Sequence, residues 1–478
     1  MKISLIEPRA ADYHIYSAWA IPRQGLPLLG TILENKGHDV TIYQEDLAGF
    51  TPRKARDIVQ SDLVGISVTT ATAPRGYAIA RLLQKRGLDV VFGGVHPTFM
   101  PEEPLDYADY CIQGEAEVSL PKLVDVLEKD GDLDEVPNLY YQDNGEVKKT
   151  DKKPRCLPMD DLPIPDYTLL EGHENLKIHP VMTTRGCPHD CTFCCVTPMF
   201  GRKYRMHSID RVVDEVERLK GKHIFFCDDN FAVSSERAKK LLREMLRRDA
   251  IPSRWNTQVR ADSYEDEELL ELMRRTNCGR VFVGFESINQ QVLDEYHKGQ
   301  NLEDIKNCIS TYHDYGISVH GMFMFGAEHD TVDSFQQTIG FAEEHGLDTA
   351  QFLLLTPVPG TQLFEKMDEQ GRIFTYDWSL YDGHHVVFEP ANMSPLQLQI
   401  ESLKANRRFY SARSALRSLS KLKFGTAMLR YLGKRVVKKW HQKNSDFLSQ
   451  LRGWQKGTTS FPRHYSLGRA RPSNLELQ

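Results

Sequence analysis

Three cysteines, Cys187, Cys191 and Cys194, follow the spacing CxxxCxxC within RGCPHDCTFCC, residues 185–195. Thiolates are soft ligands that select zinc or iron–sulfur clusters. A structural zinc takes four protein ligands, usually as two CxxC-like pairs about a dozen or more residues apart. No second pair is present, although His189 offers a fourth donor. A four-iron cluster held by three cysteines instead leaves one iron without a protein ligand, open to substrate or cofactor. Spacing alone leaves both readings standing. Cys195 permits the register CxxxCxxxC, but otherwise behaves as a small buried hydrophobe. Cys111, Cys156, Cys278 and Cys308 stand alone and receive no role. The amino-terminal MKISLIEP lacks a basic segment followed by an apolar run, so it does not read as a signal peptide. No stretch approaches the ~20 apolar residues of a membrane span. These features predict a cytoplasmic chain whose thiols stay reduced, which argues against a disulfide framework.

The elements that must hold the cysteines follow from hydrophobic periodicity. From about 180 to 356, six apolar strand segments, HPVMTT, HIFFCDD, WNTQVRA, RVFVGFES, SVHGMFMFG and TAQFLLLTP, alternate with amphipathic helical ones such as IDRVVDEVERLK and DEELLELMRR. Six βα units predict a partial or open barrel with its chemistry at the carboxyl ends of the strands. The cysteines follow the first strand. The others end on Asp228, Asp229 and Asn230; on Gln258 and Arg260; on Gly284, Glu286 and Ser287; on Gly321 and Gly326; and on TPVPGT. An arginine on an inner barrel face needs a partner or ligand, and Gly284 permits close backbone approach. Residues 1–140 alternate shorter strands and helices, predicting a doubly wound parallel sheet. The fold class is therefore α/β: a Rossmann-like domain over 1–140, a linker over 141–179, a barrel over 180–375 and a basic helical extension over 376–478. A hairpin is expected across DNG, between NLYYQ and EVKKT.

CxxxCxxC with Phe193 before its last cysteine, at the end of the first strand of a (βα)6 pattern, resembles the radical S-adenosylmethionine (SAM) enzymes. The resemblance implies a [4Fe-4S] cluster on Cys187, Cys191 and Cys194, with SAM chelating the open iron. One electron then cleaves SAM to a 5′-deoxyadenosyl radical that abstracts hydrogen from an unactivated carbon, chemistry that a cofactor must carry. It also implies SAM contacts from Asp228 and Asp229, from Gln258 and Arg260, from Gly284, Glu286 and Ser287 in a GxES-like stretch, and from Gly321 and Gly326. No catalytic side chain is assigned. An electron donor such as flavodoxin or ferredoxin is expected.

In a doubly wound sheet, ligands bind beyond the carboxyl ends of the strands. GISVTT and VFGGVHPT lie at two such ends, and Ser67, Thr69, Gly93 and Gly94 offer hydroxyls and close backbone approach to a large planar ligand. With GLPLLGTILENKGHDVTIY, GGVHPTFMPEE and IQGEAE, they resemble cobalamin-binding domains of radical SAM proteins, which implies cobalamin as a further cofactor. Where related domains carry DxHxxG before the first helix, aligning its glycine with Gly25 puts Pro22 at the histidine position. DYH at Asp12 to His14 lies too far upstream. Cobalt is expected to lack a histidine ligand.

The net charge of −6 conceals an asymmetry, because 18 Lys or Arg against 3 Asp or Glu follow from Glu401 onward. Within FGTAMLRYLGKRVVKKWHQK, an apolar stripe of Phe424, Met428, Leu429, Leu432, Val436, Val437 and Trp440 is flanked by cations, as in an interfacial membrane helix. WSLYDGHHVVFEPANMSPLQLQ resembles the extension of relatives that modify hopanoids and other lipids. The reading is a cobalamin-dependent radical SAM methyltransferase acting on an unactivated carbon of a lipid-like or other hydrophobic small molecule, cytoplasmic and peripheral at the inner membrane face. Radical cyclisation or rearrangement without methyl transfer is the alternative within the same architecture. A zinc-stabilised RNA-binding protein is the alternative outside it, with nucleic acid the less favoured partner.

Overall fold

The computed structural model describes residues 1–10, 21–152, 156–420 and 422–461. Asp12 to His14 lie outside the described residues.

The first sheet is built from β1 (Lys2–Glu7), β2 (Asp39–Gln44), β3 (Leu63–Ser67), β4 (Asp89–Gly93), β5 (Tyr110–Ile112), β6 (Leu139–Asp143) and β7 (Glu146–Lys149). Their order is β2-β1-β3-β4-β5-β6-β7, with parallel pairing through β5 and antiparallel pairing beyond it. Central strands such as LVGIS carry no charge and are buried up to the half-buried Ser67 at the carboxyl end, because helices cover both faces. The expected hairpin forms across Asn144 and Gly145, both at positive φ (53° and 84°) as a tight two-residue turn requires. It extends the first sheet instead of lying in the linker, so this sheet continues past residue 140 to Lys149. Leu170 returns to pair with Ile42, tying residues 156–178 back onto the same domain.

The barrel begins with β8 (His179–Val181), followed by the short antiparallel pair β9 (Thr184–Arg185) and β10 (Arg205–Met206). The remaining strands are β11 (His223–Phe226), β12 (Arg254–Val259), β13 (Cys278–Glu286), β14 (Ser318–Phe325) and β15 (Thr349–Leu354). Six parallel strands in the order β15-β14-β13-β12-β11-β8 form an open barrel whose end strands do not pair. Its helices turn one apolar stripe inward; Val212, Val213 and Val216 of helix Ile209–Arg218 are fully buried. Side-chain caps start several of them, including Asn301 on Leu302–Asp314, Ser234 on Ser235–Arg247 and Asp266 on Glu267–Arg275.

The carboxyl-terminal region is helical: Pro395–Phe409, Ala412–Ser420, Phe424–Lys443 and Ser445–Gln455. The apolar stripe predicted on Phe424–Lys443 divides. Val437 and Trp440 are buried, with the Trp440 ring 5.2 Å from that of His385, whereas Phe424, Met428 and Leu432 face outward. Tertiary packing claims one side of the stripe because Tyr410 and Arg430 fit against Gly433 and the barrel. No helix among the described residues is long and apolar enough to cross a membrane.

Candidate active site

Gly186, at φ 90°, turns the chain from β9 into the cysteine loop; a Cβ there would stand 2.8 Å from the Lys203 carbonyl. Cys187, Cys191 and Cys194 are half-buried on this loop, and the Cys194 N–H donates to the Cys191 carbonyl at 3.0 Å. Thr197 Oγ1 donates to the carbonyls of Cys187 and His189. Thr192 is stitched to two helices distant in the chain: its N–H donates to the carbonyl of Tyr296, which ends helix Gln290–Glu295, and its carbonyl accepts from the Leu363 N–H of helix Gln362–Glu369. Phe193 packs edge-on to Tyr296 at 5.1 Å. The aromatic before the last cysteine is thus a clamp that fixes the loop against the helix after β13.

Burial pushes the Cys194 thiol up to about 12 and also raises Cys187. Such thiols ionise only when a metal supplies the compensating charge. Cys195 caps helix Val196–Phe200, and burial raises its thiol too.

Of the acidic pair after β11, Asp228 and Asp229 have opposite fates. Asp228 is 1% exposed. Its Oδ1 accepts the N–H groups of Thr183 and Thr184 at 2.7 Å each, and its Oδ2 accepts Thr183 Oγ1 at 2.8 Å. It holds the end of the first strand instead of presenting a carboxylate to a ligand. Asp229 lies in the mouth. Protein crowded around the carboxyl and the neighbouring Asp228 push it up to about 6, against the Gly186 N–H and Arg185, which lower it.

Gln258 is half-buried, and among the described residues its side-chain amide has no partner. Arg260 is buried, donating to the carbonyls of Lys298 (2.6 Å) and Gly299 (3.3 Å). The sequence could not name these carbonyls, which together with Asp262, 3.3 Å from Nε, hold the guanidinium. Glu286 has φ 60°, in the left-handed region that a glutamate rarely adopts, and the β13–β14 register shifts between Gly284 and Glu286. Strain of this kind costs roughly 1–3 kcal/mol and collects at functional sites. Glu286 meets Lys298 at 2.7 Å in a buried pair, and a Cβ on Gly284 would strike both side chains. The Ser287 hydroxyl accepts the Asn289 N–H. Gly321 and Gly326 have apolar side chains as their nearest neighbours. Gly321 packs against Leu347 and Phe285, and Gly326, at φ 115°, packs against Phe388 and Leu398.

On the first domain, Ser67 and Gly93 pair in register at the carboxyl edge of β3 and β4. A Cβ on Gly93 would meet nothing within 4 Å, so that edge opens on free space, while one on Gly94 would strike the Val68 carbonyl. Thr69 is turned toward Thr72, whose hydroxyl accepts its N–H. An open edge with a side-chain-free floor fits a large planar ligand.

The two carboxyl edges meet. Arg185, immediately before the cysteine loop, bonds Glu115 (2.9 Å) and Glu117 (2.6 Å) from the loop after β5, and Arg205 joins Glu115. A Cβ on Gly360, beyond β15, would overlap the Phe99 ring. Trp378 Nε1 donates to Glu103 at 2.9 Å. Sequence reading did not assign Arg185, Lys298 or Trp378, because each draws its meaning from partners distant in the chain. IQGEAE, noticed only as a resemblance, contains the two glutamates.

An open barrel with a three-cysteine loop, facing the open edge of a doubly wound domain, defines a two-domain metalloenzyme that carries its cofactors across an interdomain mouth. Comparison with known proteins makes the assignment specific: residues 181–342 match the Radical SAM superfamily and residues 19–124 match the B12 binding domain. The chain is 30% identical over 405 residues to an uncharacterized methyltransferase of Pyrococcus horikoshii, covering 81% of this chain and 88% of that one. It is 29% identical over 427 residues to the bacteriochlorophyllide d C-12(1)-methyltransferase of Chlorobaculum tepidum, covering 87% and 88%. The radical SAM methyltransferase TsrM from Kitasatospora setae, solved with cobalamin and a [4Fe-4S] cluster bound, shares the fold at a TM-score of 0.65 and 20% identity, covering 77% of this chain and 78% of that one. The chain belongs to the cobalamin-dependent radical SAM methyltransferase family. Its cofactors are a [4Fe-4S] cluster, SAM and cobalamin, and the zinc-protein reading is set aside.

Proposed function

We propose that this enzyme methylates an unactivated carbon of a hydrophobic small molecule. With its cofactors bound, such a site supplies one-electron cleavage of SAM and a transferable methyl group. In this reading Cys187, Cys191 and Cys194 hold the cluster; Asp229, Gln258, Glu286 and Ser287 bind SAM; and Ser67, Thr69, Gly93 and Gly94 floor the cobalamin site. Arg260 and Asp228 act behind them, positioning the loops. A small electron carrier such as flavodoxin or ferredoxin supplies the electron.

The observation that carries the substrate class is the barrel lumen. Phe225, Phe282, Met322, Met324 and Leu353 occupy alternate, half-buried positions on β11, β13, β14 and β15, on a face they share by register with Asn256, Gln258, His320 and Gln351. A lining of apolar side chains around a few polar ones, apolar at Met324 and Leu353 where it nears the mouth, favours a substrate with an apolar body. The relative named for bacteriochlorophyllide d supports the same class. The basic carboxyl-terminal helices further suggest an enzyme that works at a membrane surface.

The test is anaerobic incubation with reductant, SAM, cobalamin and a lipid extract, followed by mass spectrometry. A product heavier by one methylene, formed with S-adenosylhomocysteine and 5′-deoxyadenosine, is expected. 5′-Deoxyadenosine with a rearranged or cyclised product and no S-adenosylhomocysteine would overturn methyl transfer.

A further inference from the structure

Among the described residues, seven of the ten exposed large apolar side chains fall between 416 and 432: Leu416, Leu419, Leu422, Phe424, Met428, Tyr431 and Leu432. They belong to one helical hairpin, Ala412–Ser420 and Phe424–Lys443. Leu422 at its tip is 75% exposed and Phe424 is 65% exposed. On Phe424–Lys443 the outward positions 424, 428, 431, 432 and 435 form one stripe at helical spacing. It changes from apolar to cationic at Arg435. Arg413, Lys434 and Lys438 are also exposed and, among the described residues, form no ion pair. No Asp or Glu occurs between Glu401 and Asp446.

The inward side fixes the direction of this helix. Thr426 bonds Asp348 and Arg430 bonds the Leu347 carbonyl, both immediately before β15 starts. Trp440 meets His385, close to Gly383, whose carbonyl accepts the Leu354 N–H where β15 ends. The helix therefore runs along the barrel from base to mouth, with its apolar tip at the base, the end opposite the cysteine loop.

We infer that the base of the barrel docks on an anionic lipid bilayer through this hairpin. The inference rests on the reading of a membrane-associated enzyme and adds that the contact is a tether and not the route by which substrate enters. Aliphatic side chains at the tip insert among acyl chains, and the cationic turns meet lipid phosphates. A second copy of the chain fits the face poorly, because pairing would oppose two cationic hairpins that carry no carboxylate of their own between Glu401 and Asp446. RNA would satisfy the cations but leave Leu416, Leu419 and Leu422 in water.

The test uses the full chain reconstituted with its cofactors and sedimented with vesicles of phosphatidylcholine, alone or with phosphatidylglycerol. Binding to the anionic vesicles is expected, weakened at least roughly tenfold on going from low to high salt as exposed charges are screened. The triple variant Leu422→Ser, Phe424→Ser, Met428→Ser should lose at least roughly tenfold in vesicle affinity at either salt. All three side chains face outward, so circular dichroism and cobalamin content should stay unchanged. The variant should still methylate a detergent-dispersed substrate at the wild-type rate, which separates failure of the tether from failure of the proposed chemistry. Wild-type-like vesicle binding by the triple variant, displacement from vesicles by single-stranded RNA, or a concentration-dependent dimer abolished by the same substitutions would each overturn the inference.

Discussion

Replacing Asp228 by alanine tests whether this residue holds the cysteine loop or binds SAM. Its carboxylate accepts two backbone N–H bonds and one hydroxyl, all at 2.7–2.8 Å, in a site 1% exposed to solvent. Arg237 completes the group, donating to Thr183 Oγ1, the Thr183 carbonyl and the His207 carbonyl. Alanine would strand two buried N–H donors and leave the guanidinium without its nearest anion. Unsatisfied buried donors cost about 1–3 kcal/mol each, and breaking a buried charge interaction about 3–5 kcal/mol in all. A loss of about 3–5 kcal/mol is therefore expected for Asp228→Ala. Asn keeps one oxygen for both N–H groups and should lose about 1–2 kcal/mol. Urea unfolding followed by tryptophan fluorescence measures the stability, and iron per chain after anaerobic reconstitution reports the loop. Both should fall in the order wild type, Asn, Ala. An alanine variant with wild-type stability and iron content but weakened SAM affinity by calorimetry would refute the positioning role.

Cys187→Ala, Cys191→Ala or Cys194→Ala should each abolish the brown chromophore and 5′-deoxyadenosine formation, while Cys195→Ala keeps both; a colourless Cys195→Ala beside an active Cys194→Ala would shift the register. Burial, assisted by Arg211, lowers His207 to about 4, so between pH 4 and about 6.5 the unfolded chain binds the extra proton. His207 therefore contributes a rise in unfolding free energy with pH across that window, on the order of 3 kcal/mol and opposed by the raised carboxyls of Asp229 and Glu215, so the stability difference between wild type and His207→Gln should grow in favour of wild type as pH rises from 4 to about 6.5. The cob(II)alamin paramagnetic resonance spectrum should lack nitrogen superhyperfine splitting. Pro22 is buried where related domains place a histidine, and His96 is fully buried edge-on to Trp378. A split spectrum would identify a histidine ligand.

Local periodicity was enough to place all six barrel strands, β1 to β4 of the doubly wound sheet and the hairpin at Asn144–Gly145, since alternation and turn chemistry act between near neighbours; β5, three residues long, is too short to show a period. The cysteine spacing likewise located the loop, because the ligands of one cluster sit on one short segment. Tertiary structure decided whatever depends on distant partners. Asp228 and Asp229 are adjacent and chemically identical, yet one is consumed by the end of the first strand and the other opens to the mouth. Glu286 was visible as a strand-end carboxylate, but its left-handed backbone and its pairing with Lys298 were not. Gly321 and Gly326 looked equivalent to Gly284, but the side chains nearest them are apolar whereas those nearest Gly284 are the Glu286–Lys298 pair. In the carboxyl-terminal helix, periodicity reports which residues are apolar, whereas the barrel wall determines which of them it covers. Trp440 went inward and Phe424 outward for that reason.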